Sequence, residues 1–178
     1  MRRVAVIGPG GAGKTTLATE LGRLLGIELV QLDRLIWEPG WVKTPVRQVE
    51  EAQQAALGGE SWIVDTASPR GMRARLEAAD TIVFLDLPPS LCAVRTLLRR
   101  LRTRGKLRAE LAAGCVPARL DRAVLRYLAY IRQYRREIRP QILDELERLS
   151  RRRRIVVLQD TRQIQSFVAS VRARDGVA

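Results

Sequence analysis

Gly8-Pro9-Gly10-Gly11-Ala12-Gly13-Lys14-Thr15 follows the pattern G-x-x-x-x-G-K-[ST], and its flanks restrict the fold more than any other stretch of the chain. Before it, Arg3-Val-Ala-Val-Ile7 is a short apolar, β-branched run that reads as a buried strand. After it, Thr16 to Leu25 has helical spacing, with Leu17, Leu21, Leu24 and Leu25 on one face. Strand, glycine loop and helix in that order make a phosphate cradle. The glycines let backbone N–H groups curl around an anion, and the helix aims its positive dipole end at it. Lys14 reaches the β- and γ-phosphates of a nucleoside triphosphate, and the Thr15 hydroxyl joins a Mg²⁺ shell. The chain has three lysines against 29 arginines, so a lysine at this position runs against a strong bias. A compact ammonium suits a point contact with phosphate better than a planar guanidinium does.

At 178 residues, 46% of them hydrophobic, the chain is long enough to bury a core and is expected to form one domain over residues 1–178. No apolar run approaches the ~20 residues of a membrane span, so no membrane partner is expected. Val4 to Ile7 is too short for a signal peptide, and the expected location is cytoplasmic. Cys92 and Cys115 lack metal-ligand spacing, and the absence of histidine argues against zinc and leaves carboxylates to handle protons. The net charge is +13, which raises nucleic acid as a partner. Arg95, Arg99, Arg100, Arg102, Arg104, Lys106 and Arg108 carry seven of those charges in fourteen residues without one acid. That concentration fits a clamp on triphosphate at least as well as a DNA-binding face. Arg151 to Arg154 precedes an apolar strand and reads as a solvated turn.

Strands are expected at Val4–Ile7, Glu28–Gln31, Trp62–Asp65, Thr81–Asp86 and Ile155–Gln159. Helices are expected at Lys14–Leu25, Pro45–Leu57, Met72–Ala78, Ser90–Arg102, Ala118–Leu149 with a break at Pro140, and Gln163–Arg172. Such alternation predicts an α/β fold: a P-loop three-layer sandwich with a five-stranded parallel sheet and helices on both faces. The segment 103–117, with Gly105, Gly114 and Pro117 beside part of the basic cluster, is the expected lid.

This fold places chemistry at the carboxyl ends of its strands. Asp33 follows the second strand, Asp65 ends the third and Asp86 ends the fourth. A phosphotransferase needs one carboxylate near Mg²⁺ and often another to orient the acceptor hydroxyl. Asp65 is assigned to the metal shell with Thr15, and Asp33 to the acceptor; a capping or turn role is the alternative for each, and the preferred one for Asp86. A GTPase is disfavoured because the chain has no Asn-Lys-x-Asp and no Asp-x-x-Gly between the third and fourth strands. A motor or large ATPase is disfavoured because Thr66 and Leu87, not glutamates, follow Asp65 and Asp86. A small kinase remains.

Arg3-Val-Ala-Val-Ile-Gly8, the glycine loop, Leu32-Asp-Arg-Leu-Ile-Trp37 and Pro39-Gly-Trp41 resemble the topology modulation proteins, small adenylate-kinase-like P-loop proteins. The likeness runs on through Trp62-Ile-Val-Asp65, Ala79 to Pro88, Gly114-Cys115 and the Tyr/Arg-rich helix near Arg139-Pro140. The resemblance implies ATP and Mg²⁺ as cofactors and a nucleotide or other small molecule as phosphoryl acceptor. It places Gly8, Pro9, Gly10, Gly11, Ala12, Gly13, Lys14, Thr15 and Thr16 at the triphosphate, and Asp33 and Arg34 at the acceptor. It makes Arg100 and Arg104 lid residues that neutralise the transferred phosphoryl, and sets Arg132 and Arg136 at the phosphates from the far side, with a solvated helix face as the alternative for each. The loop Gln159–Arg162 falls beside adenine. One departure stands out: the family follows its third-strand Asp with Gly-Asn-Tyr, whereas this chain reads Asp65-Thr66-Ala67-Ser68. Thr is a stiff, β-branched replacement where Gly permits close backbone approach, so the acceptor site is expected to differ. Arg70 and Arg75 are the candidates to bind an acceptor phosphate there. Trp37 and Trp41 either wall that acceptor or pack as core aromatics. The competing reading is a nucleotide-dependent DNA- or RNA-binding modulator with weak phosphotransfer.

Overall fold

The computed structural model describes residues 1–32, 37–38, 42–65, 71–103, 129–130 and 133–174; at 37, 38, 43 and 100–103 it describes the backbone. The elements in chain order are β1 (Arg3–Ile7), α1 (Lys14–Leu25), β2 (Leu29–Gln31), β3 (Trp37–Glu38), β4 (Val42–Lys43) and α2 (Val46–Leu57). There follow β5 (Trp62–Asp65), α3 (Met72–Ala78), β6 (Thr81–Leu85), α4 (Pro89–Thr103), a π-helical turn (Tyr134–Ile138), α5 (Arg139–Leu149), β7 (Arg154–Leu158) and α6 (Thr161–Arg174). Five strands form one sheet in the order β2-β5-β1-β6-β7. All four neighbouring pairs are parallel, so the expected P-loop kinase-type sheet is present. A parallel sheet requires crossovers, and these coat both faces with helices.

Alternation along β1 splits the core in two. Val4 and Val6 face Leu17, Leu21 and Leu24 of α1 and Phe167 and Val171 of α6. Ala5 and Ile7 face the opposite layer, with Leu76 of α3 and Ile142, Leu146 and Leu149 of α5. Trp62 and Phe84 are among the largest fully buried side chains, and each apolar chain of that size stabilises by about 1.5–3 kcal/mol. Trp62 satisfies its indole by donating to Leu57 O at 3.1 Å.

Three departures from the sequence reading have clear physical causes. β3 and β4 form a short antiparallel hairpin, pairing Trp37 with Lys43 and Glu38 with Val42, where a plain loop was expected. The intervening Pro39-Gly40-Trp41 has the three-residue, glycine-containing length of a hairpin connection. β7 begins at Arg154, which pairs with Thr81, so the last arginine of the basic run belongs to the sheet. Finally, Pro140 does not break its helix. It occupies the first turn of α5, directly after the π-helical turn. Inside a helix, proline lacks an N–H and crowds the carbonyl four residues back, here that of Arg136. The π turn relieves that demand, with the Arg139 N–H donating five residues back to Tyr134 O.

Candidate nucleotide site

The glycine loop leaves the central strand β1 and opens α1. Gly13, at φ 93°, takes the capping position of α1 in the left-handed region. Gly11 is also left-handed, at φ 80°, and packs against α4. A Cβ there would lie 2.3 Å from Cys92 O and 2.5 Å from Thr96 Oγ1. The loop is therefore held from behind by α4, an arrangement only glycine permits. Lys14 is buried at the helix start and donates to Pro9 O at 3.1 Å, which folds its ammonium back over the loop.

Thr15 Oγ1 donates to Asp65 Oδ2 at the end of β5. This contact joins the two groups that the sequence assigned to a metal. A hydroxyl and a carboxylate beside the phosphate cradle are hard oxygen donors that fit Mg²⁺, which keeps waters and shares phosphate oxygens. Among the described residues no group of three or more Cys, Asp or Glu side chains clusters as a self-sufficient metal cage, so phosphate and water would supply the other ligands.

Next to the loop lies a cleft of about 420 Å³ lined by Gly11, Gly13, Thr16, Arg95, Arg99 and Thr161 among others. That volume falls in the range of small-molecule sites. Arg95 bridges its walls: Nη1 donates to Ala12 O at 3.3 Å and Nη2 to Thr161 Oγ1 at 2.9 Å. The loop Gln159–Arg162, expected beside adenine, thus meets the P-loop through one arginine. Sequence reasoning named Arg95 and Arg99 only as members of the basic cluster and chose Arg100 and Arg104 as the lid residues. The signal was there, since Cys92, Thr96 and Arg99 are spaced for one helical face and Arg95 and Arg99 stand four apart.

Asp86 follows β6, and its N–H donates to Leu158 O at 2.9 Å. Its carboxylate accepts a two-pronged contact from Arg139, Nε to Oδ1 and Nη2 to Oδ2, both at 2.7 Å. The hydrogen bond from Arg139 holds the Asp86 carboxyl below the usual range against the opposing effect of burial, and Gln159 and Arg135 push the same way. Cys92 is buried beneath the loop; burial pushes its thiol up, and the nearby Arg95 and Lys14 charges only partly offset that. Tyr134 is likewise pushed up by burial and packs edge-on against Tyr130, with ring centroids 6.3 Å apart.

The remaining expected site residues divide into two groups. Arg75 is 1% exposed and donates to Gln53 Oε1 at 3.3 Å, so it ties α3 to α2. Arg136 is exposed on the π turn. Asp33, Arg34, Arg70, Arg104, Arg132, Thr66, Trp41, the Arg100 side chain and the lid beyond Thr103 lie outside the described residues.

Comparison with known proteins agrees with this fold. No protein-family model matches the chain. A shikimate kinase of Histophilus somni (strain 2336) is 32% identical over 76 residues, which is 43% of this chain and 34% of that protein. The match therefore spans about a third of the length of that curated relative. The structure of shikimate kinase from Acinetobacter baumannii in complex with shikimate superposes with a TM-score of 0.57 at 18% identity, covering 96% of this chain and 90% of that one. A gluconokinase from Sinorhizobium meliloti 1021 gives 0.52 at 16% identity, covering 98% and 91%. The chain has the fold of the small P-loop kinases. Among the described residues no helix is long and apolar enough to cross a membrane.

Proposed function

We propose that this protein is an ATP-dependent phosphotransferase acting on a nucleotide or other small-molecule acceptor. The observation that carries the reading is the contact between Thr15 and Asp65 beside a glycine loop that already has its Lys14 in place. Together these supply a phosphate cradle, a point charge on the transferred phosphoryl and a Mg²⁺ position. Arg95 and Arg99 border the cleft in which the base would lie. When bound, Mg²⁺ would be held by Thr15 and Asp65 and would neutralise charge that develops on the phosphates during transfer. Lys14 and the loop's backbone N–H groups hold the chain of phosphates in line, and Asp33 orients the acceptor hydroxyl. A nucleoside monophosphate is the acceptor the adenylate-kinase-like resemblance favours. The comparisons with shikimate kinase and gluconokinase favour a hydroxylated acid instead. The likeness to topology modulation proteins stays part of this proposal, resting on the sequence motifs alone.

Phosphorus NMR with Mg-ATP and a pooled panel of nucleoside monophosphates, nucleosides, sugar acids and shikimate-like alcohols tests it. A new phosphoester signal that disappears in Lys14→Ala supports the reading and names the acceptor class. ATP binding without any new phosphoester removes it.

One observation favours the second reading, a nucleotide-dependent nucleic-acid binder. The Trp62 N–H donates to Arg2 O, the Asp80 N–H to Arg3 O, and the Arg154 N–H to Asp80 O, at 2.9, 2.8 and 3.1 Å. These bonds gather Arg2, Arg3 and Arg154, followed closely by Arg151 and Arg152, at the amino edge of the sheet. All five are exposed, and none forms an ion pair among the described residues. Submicromolar duplex binding that weakens strongly as salt rises and responds to ATP would favour this alternative.

A further inference from the structure

We propose that Asp86 and Arg139 are positioning residues for the nucleotide base, acting through the loop that joins β7 to α6; this rests on the kinase reading above. Neither residue lines the cleft. Their effect travels through a continuous set of hydrogen bonds. The Arg139 fork occupies both Asp86 oxygens, and the Gln159 side chain lies near enough to help hold that carboxyl down. The Asp86 N–H holds Leu158 O, the last carbonyl of β7. Gln159 is thus fixed at the first bend of the loop.

The next two residues are fixed from other directions. The Gln159 N–H donates to Gln163 Oε1 at 2.8 Å, and the Gln163 N–H donates to Asp160 Oδ1 at 2.8 Å. Asp160 thereby caps α6, and the Gln163 side chain closes the loop on itself. Thr161 accepts from Arg95, which also grips Ala12 of the P-loop. One network therefore runs from the start of α5 through Asp86 and the loop to the P-loop. It sets the distance between the phosphate cradle and the backbone that would read the base.

The physical reason for an ion pair here is rotamer control. The Asp86 side chain is 10% exposed and that of Arg139 is 27% exposed, so the pair is largely shielded from water. A bidentate fork leaves the carboxylate one orientation, and hence leaves Gln159 one position. Backbone recognition of a ring needs donors and acceptors held to about half an ångström, which a loop cannot provide without such support.

Two ligands separate positioning from other roles: Mg-ATP and Mg-tripolyphosphate, which has the same phosphates and no base. Isothermal titration of the full chain compares wild type with Asp86→Asn, Arg139→Gln and Gln159→Ala. Mg-ATP affinity is expected to fall about tenfold in each variant, the scale of one lost charge-assisted bond. Tripolyphosphate affinity should stay within about twofold of wild type. Equal loss of both ligands would mean that Asp86 acts on the phosphates or on the fold, and would overturn the proposal. Undiminished Mg-ATP binding would overturn it too. Gln159→Ala leaves the ion pair intact, so it carries the test if the other two variants unfold. A wild-type protein that binds neither ligand refutes the kinase reading itself, which the variants alone cannot do.

Discussion

Replacing Gly11 by alanine tests how tightly α4 backs the P-loop. Two costs add. At φ 80° an L-residue sits in the left-handed region, at about 1–2 kcal/mol. The new Cβ would then stand 2.3 Å from Cys92 O, a backbone atom in α4 that cannot swing aside as a side-chain end can. Forcing one extra carbon into packed structure costs about 1–3 kcal/mol. The sum is about 3 kcal/mol, equivalent to a fall of about 9 °C in Tm for a domain of this size. Gly26 provides the internal control. It is left-handed as well, at φ 64°, but a Cβ there meets nothing within 4 Å. Gly26→Ala should therefore cost only the backbone strain of about 1–2 kcal/mol. Urea unfolding with a shared slope measures both variants. Equal destabilisation would refute the argument, because it would mean that α4 does not press on the loop.

Two further predictions follow from packing and charge. Phe84→Ala empties a fully buried position between the sheet and α5, and is expected to cost about 3–5 kcal/mol by urea unfolding; a loss below about 1 kcal/mol would contradict that burial. Asp86 has its folded-state carboxyl held down by Arg139, so its contribution to stability is complete above the unfolded-state value of about 4. It disappears as pH falls through the lower folded-state value. Asp86→Asn should accordingly be less stable at neutral pH and show a shallower acid decline, read from urea midpoints across a pH series. Parallel declines in the two proteins would show that the pair adds nothing.

Much of the fold was legible because it depends on local pattern. α1 and α3 have the predicted boundaries, as does β5, and most other elements agree to within one or two residues. Apolar periodicity and glycine placement act over a few residues, so they can be read along the chain. The same holds for the glycine loop, whose turn conformation is contained in eight consecutive residues.

What escaped the sequence has the opposite character. Asp86 was read as a turn residue, yet Arg139 lies 53 positions away, and only the stacking of the π turn over the end of β6 brings the two together. Arg95 was one of seven clustered basic residues; its choice as the bridge depends on which face of α4 meets Gly11. The Gln53 partner of Arg75 on a neighbouring helix was likewise invisible along the chain. The sequence by itself determined that this chain folds around a phosphate loop between a strand and a helix, because those signals are short-range steric and hydrogen-bonding rules. Which charged side chains border the resulting cleft was decided by tertiary structure alone, because an arginine's partners are set by packing between distant segments and not by its neighbours in the chain.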